Sequence, residues 1–134
     1  MTVAGELILG RSFEAPDETR TYYKLVVELV SLGELIVSRH VYEPGWRWSD
    51  SIWPLVRPEG CQDRHAFYMV SGHMKVHMND GAELEFGPGE VGVIPAGHDA
   101  WVVGTDPVEL IDFAANDAGS LKKRGPFRTF TILG

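Results

Sequence analysis

The feature that most constrains the fold of this chain is the segment from Gly87 to His98, which has the sequence GPGEVGVIPAGH. A Pro-Gly turn, a short apolar run and a second turn at Pro95 to Gly97 follow one another directly. The run is too short for a helix and is bounded by strong turn signals, so it is predicted to be a buried strand. A histidine placed just after the second turn can point into the space that the strands enclose. The segment therefore predicts a small β-barrel and, at His98, a candidate site.

The same pattern extends through most of the chain. Segments rich in Val, Ile, Tyr, Phe and Trp alternate with turns that contain Gly, Pro or Asn-Asp-Gly. No segment has a helical period with caps, and short strands at this spacing predict an all-β sandwich or barrel. The predicted strands are Tyr23–Leu32, Glu34–Tyr42, His65–Ser71, His73–Met78, Glu83–Phe86, Val91–Ile94, Asp99–Val103, Val108–Ala114 and Phe127–Leu133.

Length and charge narrow the class of protein. The chain has 134 residues, a formal net charge of −7 and one cysteine, Cys61. This length suits one domain with its own core, so we expect residues 1–134 to form a single unit. The acidic balance argues against nucleic acid or an anionic membrane as a partner. A lone cysteine excludes an intrachain disulfide and no signal-peptide pattern is found, so we expect a cytoplasmic protein.

The Gly87 to His98 segment also carries a motif. Gly89, Pro95 and Gly97 match the spacing G-x5-P-x-G-x-x-H, which resembles the second motif of the cupins. The position of the family histidine holds Ala100, and this chain instead has His98 two residues earlier. The resemblance is therefore full for the turns and partial for the metal ligands.

The first cupin motif, which ends H-x-H-x(3–4)-E-x6-G, resembles the stretch that leads to Gly72. Counting back from Gly72 places His65 at the glutamate position, Cys61 at the second histidine position and Glu59 at the first. The resemblance covers roughly residues 37–114 and implies a single cupin barrel, that is, a jelly roll or double-stranded β-helix. More narrowly, the chain is similar to small single-domain cupins that mostly have no assigned function. That likeness is carried by Pro16–Arg20, Glu43–Ser49, Cys61 with His65, and Pro95–Gly104.

Strand parity places the candidate ligands on one side. If a regular strand begins at His65, then His65, Phe67 and Met69 share a face, and so do His98 and Ala100. The cupin pattern implies that both faces are internal, so we expect His65 and His98 to face the same space.

A metal site is the prediction that this placement supports. Cys61 is the expected third ligand, and Glu59 is either a fourth ligand or a general base. Imidazole and thiolate suit a transition metal such as Zn, Fe, Ni or Cu rather than Ca or Mg.

Two functions stay open at this point. The first is a metal-binding cupin that binds or transforms a small organic molecule, and its likeness to metal-dependent cupins implies oxygenase- or isomerase-type chemistry if it is an enzyme. The second is a metal-free module that binds or senses a small molecule without catalysis. In that case His65 is a pocket histidine and Cys61 an inert thiol.

The stretch from Trp46 to Arg64 is long, irregular and aromatic. Such loops in compact domains are commonly functional, so we predict that it covers one mouth of the barrel. At least one of Trp46, Trp48 and Trp53 should line the pocket, together with Phe67, Met69 and Ala100.

Two apolar segments at the ends of the chain suggest assembly. Glu6–Leu9 and Phe127–Leu133 have the composition of strands, and unpaired strand edges invite pairing with another chain. Cupins are commonly dimers, so we expect a two-fold homodimer.

Overall fold

The computed structural model describes residues 7–51 and 64–113. These residues form nine strands and one short helix. In chain order they are β1 (Glu18–Tyr22), β2 (Leu25–Leu32), β3 (Leu35–Tyr42), α1 (Trp48–Ser51), β4 (His65–Ser71), β5 (His73–Met78), β6 (Glu83–Phe86), β7 (Val91–Ile94), β8 (His98–Val103) and β9 (Val108–Asp112).

The strands form two antiparallel sheets. The larger has six strands in the order β1-β2-β3-β9-β4-β7, and the smaller has three in the order β6-β5-β8. The order is not that of the sequence, since β9 lies between β3 and β4. The all-β class that the turn spacing predicted is confirmed.

A single apolar core lies between the two sheets. Alternate residues of β4, β5, β8 and β9 are buried in it, which is the period expected of half-buried strands. Phe67 of β4 and Phe86 of β6 join the sheets with ring centroids 4.9 Å apart and an edge-to-face angle of 82°. The buried apolar residues also include Leu25 and Val27 from β2, Met74 and Val76 from β5, and Val108 and Leu110 from β9.

Gly92 makes the contact between these two rings possible. A Cβ atom at Gly92 would lie 2.5 Å from Phe86 Cε1 and 2.8 Å from Phe67 Cζ. The glycine in the apolar run of the opening segment therefore provides the space into which both phenyl rings pack.

The structure differs from the sequence prediction at three places. Strand β1 was not predicted, because Glu18–Tyr22 is polar and lies at the edge of the larger sheet, with five paired positions on β2 only. Helix α1 was not predicted, because four residues are too few to show a helical period. Residues 7–10 are in no strand, and Leu7, Ile8 and Leu9 are exposed, because so short an apolar run buries too little to pair. The predicted strand Phe127–Leu133 lies outside the described residues.

No helix among the described residues has the length and apolar content needed to span a membrane.

Candidate functional site

The two histidines predicted to share a space do so. His65 is the first residue of β4 in the larger sheet, and His98 is the first residue of β8 in the smaller one. Both side chains are buried, and their ring centroids are 5.3 Å apart at an interplanar angle of 75°. The two sheets thus bring one imidazole each to the same part of the barrel interior.

His98 has a defined tautomer. Its Nδ1 lies 2.9 Å from the carbonyl oxygen of Pro95, which can only accept, so Nδ1 carries the proton. The second turn of the opening segment therefore fixes the ring. Nε2 then holds a lone pair, is buried, and has no hydrogen-bond partner. Burial, reinforced by the nearby His65, lowers the pKa of His98 to about 3, so the ring is neutral at physiological pH.

His65 is oriented by a buried acid. Its Nδ1 lies 3.0 Å from Oδ2 of Asp112, the last residue of β9, and both side chains are buried. Each of the two histidines is thus held through Nδ1 by an oxygen. This arrangement is common for histidines that bind a metal through Nε2, because the second bond fixes the ring and its tautomer.

A third histidine extends the polar interior along β3. His40 is fully buried, with Nε2 2.9 Å from Ser38 Oγ and Nδ1 2.9 Å from the Tyr42 hydroxyl. Burial lowers its pKa to about 4; Asp112 opposes this shift and His65 adds to it. Both nitrogens of His40 are occupied, so it supports the interior rather than presenting an open coordination position.

Two tryptophans are buried in the core beside β8: Trp46, just before α1, and Trp48, the first residue of α1. Arg47 forms a bridge with Trp101 of β8, and the Val102 amide donates to the Trp46 carbonyl at 3.0 Å. This pairing places Trp46 beside Val102 on the inner face of β8. Both indoles are buried, and neither Nε1 has a hydrogen-bond partner.

The intervening residues face the other way. The Arg47 guanidinium lies 4.2 Å from the centroid of the Trp101 ring and 3.4 Å from Asp99 Oδ2. Asp99 also accepts from the Ser49 amide at 3.1 Å, which ties the start of α1 to β8. His98 and Asp99 therefore point to opposite sides of β8, as strand parity predicts, and do not form a catalytic pair.

The remaining predicted residues divide into two sets. Phe67, Met69 and Ala100 are buried on the same inner faces as the histidines. Trp53, Glu59 and Cys61 lie outside the described residues. Within residues 7–51 and 64–113, no three His, Cys, Asp or Glu side chains are grouped so as to hold a metal ion. The metal and pocket assignments stay predictions.

Sequence reasoning missed the buried acid and the third histidine. The signal for Asp112 was its phase: within the predicted strand it alternates with Val108 and Leu110, so an acid occupies an internal position. For His40 the signal was the hydroxyl-bearing residue two positions away on each side. Its partners Ser38 and Tyr42 stand at i−2 and i+2, on the same face of the strand.

Comparison with known proteins adds information about the fold. No model of a protein family matches the chain, and no curated protein is significantly similar to it. Among solved structures, a protein of unknown function (DUF1255) from Acidithiobacillus ferrooxidans aligns with a TM-score of 0.55 at 15% identity, covering 83% of this chain and 96% of that one. Oxalate decarboxylase from Lactobacillus farciminis, in a formate complex, aligns with a TM-score of 0.52 at 19% identity, covering 71% of this chain.

A third solved structure has a described activity. The polyketide cyclase RemF from Streptomyces resistomycificus aligns with a TM-score of 0.50 at 17% identity, covering 68% of this chain and 64% of that one. The chain spans only 30% of the length of the oxalate decarboxylase. At these identities the likeness concerns the path of the backbone and not the reaction.

Proposed function

Starting from the cupin jelly-roll fold that this chain has, we propose that it binds a small organic molecule in the barrel, beside a transition metal held by His65 and His98. The observation that carries the proposal is the state of His98. Its Nδ1–H is committed to the Pro95 carbonyl, and its buried Nε2 lone pair has no partner. An unpartnered buried acceptor is unfavourable, and a bound cation removes that cost.

The donor set fits a transition metal in part. Two imidazoles whose Nδ1 atoms are held by Asp112 and Pro95 are suitable nitrogen ligands for Zn, Fe, Ni or Cu. Cys61 and Glu59 are the further ligands that the sequence predicts. When bound, such a metal supplies a Lewis acid that polarises an oxygen of the organic molecule.

The chain's own residues would perform the remaining tasks. Asp112 holds the His65 ring and Pro95 holds the His98 ring, which fixes the direction of both Nε2 atoms. Trp46, Trp48 and Phe67 are buried in the same core and would give the pocket aromatic walls. Whether the bound molecule is transformed depends on the additional ligands, so catalysis and sensing are both compatible with this site.

A metal-free binding module is the second candidate. One observation favours it: two indole N–H donors in the same interior lack acceptors. Indole donors bind no metal, but they suit the oxygen atoms of an organic ligand.

Metal analysis separates the two candidates. Wild type, His98→Gln and His65→Gln are purified without chelator, supplied with Zn, Fe, Ni or Cu, and analysed by plasma mass spectrometry. His73→Gln is the matched control, since His73 is exposed on β5. We expect one metal ion per chain in wild type and control, and a loss in both site variants at unchanged circular dichroism. A metal-free wild type would leave the binding module as the function, and unchanged metal in His98→Gln would remove His98 from the site.

A further inference from the structure

The buried indole N–H groups of Trp46 and Trp48 are the starting point. Both side chains are at most 1% exposed, and neither Nε1 atom has a partner. Buried indoles usually donate to an acceptor, because an unsatisfied N–H in an apolar interior is unfavourable. Among the described residues only one other buried side-chain nitrogen or oxygen lacks a partner, and it is His98 Nε2.

These three groups belong to residues on β8 or on the segment bonded to it. The inner face of β8 consists of His98, Ala100 and Val102, and we call it the β8 strip. The bridge between Arg47 and Trp101 sets Trp46 beside Val102 at one end of this strip, and Trp48 follows as the first residue of α1. Alternate residues of a strand are about 7 Å apart, so the strip has the length of a small molecule.

Ala100 lies in the middle of the β8 strip. It carries the smallest side chain there, and it is completely buried. The segment that carries both indoles is bonded to β8 at two points: the Val102 amide donates to the Trp46 carbonyl, and the Ser49 amide donates to Asp99. The main chain next to both tryptophans is therefore fixed to β8.

We propose that Trp46 and Trp48 are the ligand-binding donors of the barrel, and that the ligand is a small molecule with a carbonyl-type oxygen, neutral or carboxylate, that accepts from both indoles. This inference rests on the proposed function, since it names the class of molecule that binds beside His98. An indole N–H only donates, so the ligand must supply acceptors, and a carbonyl oxygen has two lone pairs.

The test observes the indole protons directly. Uniformly ¹⁵N-labelled full-length protein has four tryptophans and so gives four indole cross-peaks, which Trp→Phe variants assign. Benzamide, benzoate and toluene are titrated separately, because they share a ring and differ in the acceptor. We expect benzamide or benzoate to move the Trp46 and Trp48 indole proton signals downfield, and toluene to leave them in place. Trp101, whose ring lies under Arg47 on the other side of β8, is the internal control.

Substitutions then measure how much each indole N–H contributes to the affinity for the probe. Trp46→Phe and Trp48→Phe keep an aromatic wall and remove the N–H, and each should weaken binding of the active probe by about three- to tenfold. Trp101→Phe should leave that affinity unchanged. The two oxygen-containing probes distinguish a neutral carbonyl from a carboxylate.

The inference would be overturned if toluene moved the two signals as strongly as the other probes, or if none of the three moved them. It would also be overturned if both Trp→Phe variants bound with wild-type affinity. Metal content is measured on the same samples. If the protein binds metal through His98 but no probe moves the indole signals, the inference about the tryptophans is wrong and the metal site stands. If a probe moves the indole signals in protein that contains no metal, the metal site is wrong and the inference stands.

Discussion

Acid should destabilise this protein through His40, and the structure gives the size of the effect. Burial lowers the pKa of His40 from 6.5 to about 4, so the folded state resists a proton that the unfolded chain accepts. The stabilising contribution is then complete above pH 6.5 and is lost as pH falls from 6.5 toward 4. One pKa unit corresponds to about 1.4 kcal/mol, so the free energy of unfolding should fall by about 2 kcal/mol from this residue between pH 7 and pH 5.

The measurement compares how much the free energy of unfolding changes with pH in two proteins. Wild type and His40→Gln are unfolded in urea at pH 7 and at pH 5, and the pH effect on each free energy is compared. His40→Gln breaks bonds to Ser38 and Tyr42 and should cost about 1–3 kcal/mol at pH 7, but its further loss at pH 5 should be about 2 kcal/mol smaller than that of wild type. The pKa of His98 is also lowered, but His98 is present in both proteins, so its contribution cancels when the two pH effects are compared.

His73→Gln is the control, since it removes an exposed histidine and should keep the wild-type loss between the two pH values. If His40→Gln lost as much stability as wild type on acidification, then His40 would not be the buried neutral group that its hydrogen bonds indicate. That result would contradict a buried, neutral His40 even if the variant were less stable at both pH values.

Other consequences of the structure can be tested as directly. Gly72→Ala should lower the melting temperature more than Gly89→Ala. Both glycines have positive φ (84° and 85°), but a Cβ at Gly72 would meet the Pro107 carbonyl oxygen, whereas a Cβ at Gly89 would face open space. Equal decreases in melting temperature would contradict this. Asp112→Asn should weaken metal affinity about 10- to 100-fold in titration calorimetry because Asp112 orients His65, and an unchanged affinity would show that this bond does not tune the ligand. Val91→Lys should shift a homodimer to monomer in light scattering, because Val91 is 73% exposed on edge strand β7; a wild type that is monomeric at micromolar concentration would remove the predicted dimer.

The strands that have turn residues close to both ends were predictable from the sequence. β4, β5, β6 and β7 have the predicted bounds, because Gly72, Asn79–Gly81, Gly87–Gly89 and Pro95–Gly97 separate short alternating runs. Gly72, Gly81, Gly89 and Gly97 all have positive φ, the conformation that makes glycine informative in a sequence. β2 begins two residues later than predicted, because a turn without glycine, at Tyr23 and Lys24, precedes it and Lys24 has a φ of 60°. β9 ends two residues before its predicted end.

The inward set on β4 and β8 was also predictable, because parity within a strand needs only one anchored position. Placing His65 and His98 inside fixed Phe67, Met69 and Ala100 as well. Parity cannot say which strands become neighbours. The insertion of β9 between β3 and β4, which brings Asp112 within reach of His65, is a long-range pairing that no local pattern encodes.

The distribution of polar groups between the sheets bears on what the barrel is for. The larger sheet contributes Ser38, His40, His65 and Asp112 to the interior, and these side chains are joined in hydrogen bonds. The inner face of the smaller sheet is apolar except at His98 and in the segment paired with β8. Burying these groups is unfavourable compared with an apolar core of the same shape, so stability alone does not explain them. Ser38, His40 and Asp112 serve as support in the larger sheet, and Asp112 also orients the proposed ligand His65. The three atoms without partners belong to β8 and to the segment bonded to it, even though the Trp46 ring also packs on Tyr42 of β3 at 4.5 Å. This asymmetry is the physical reason to look for the bound molecule along β8, where a ligand would complete the interior.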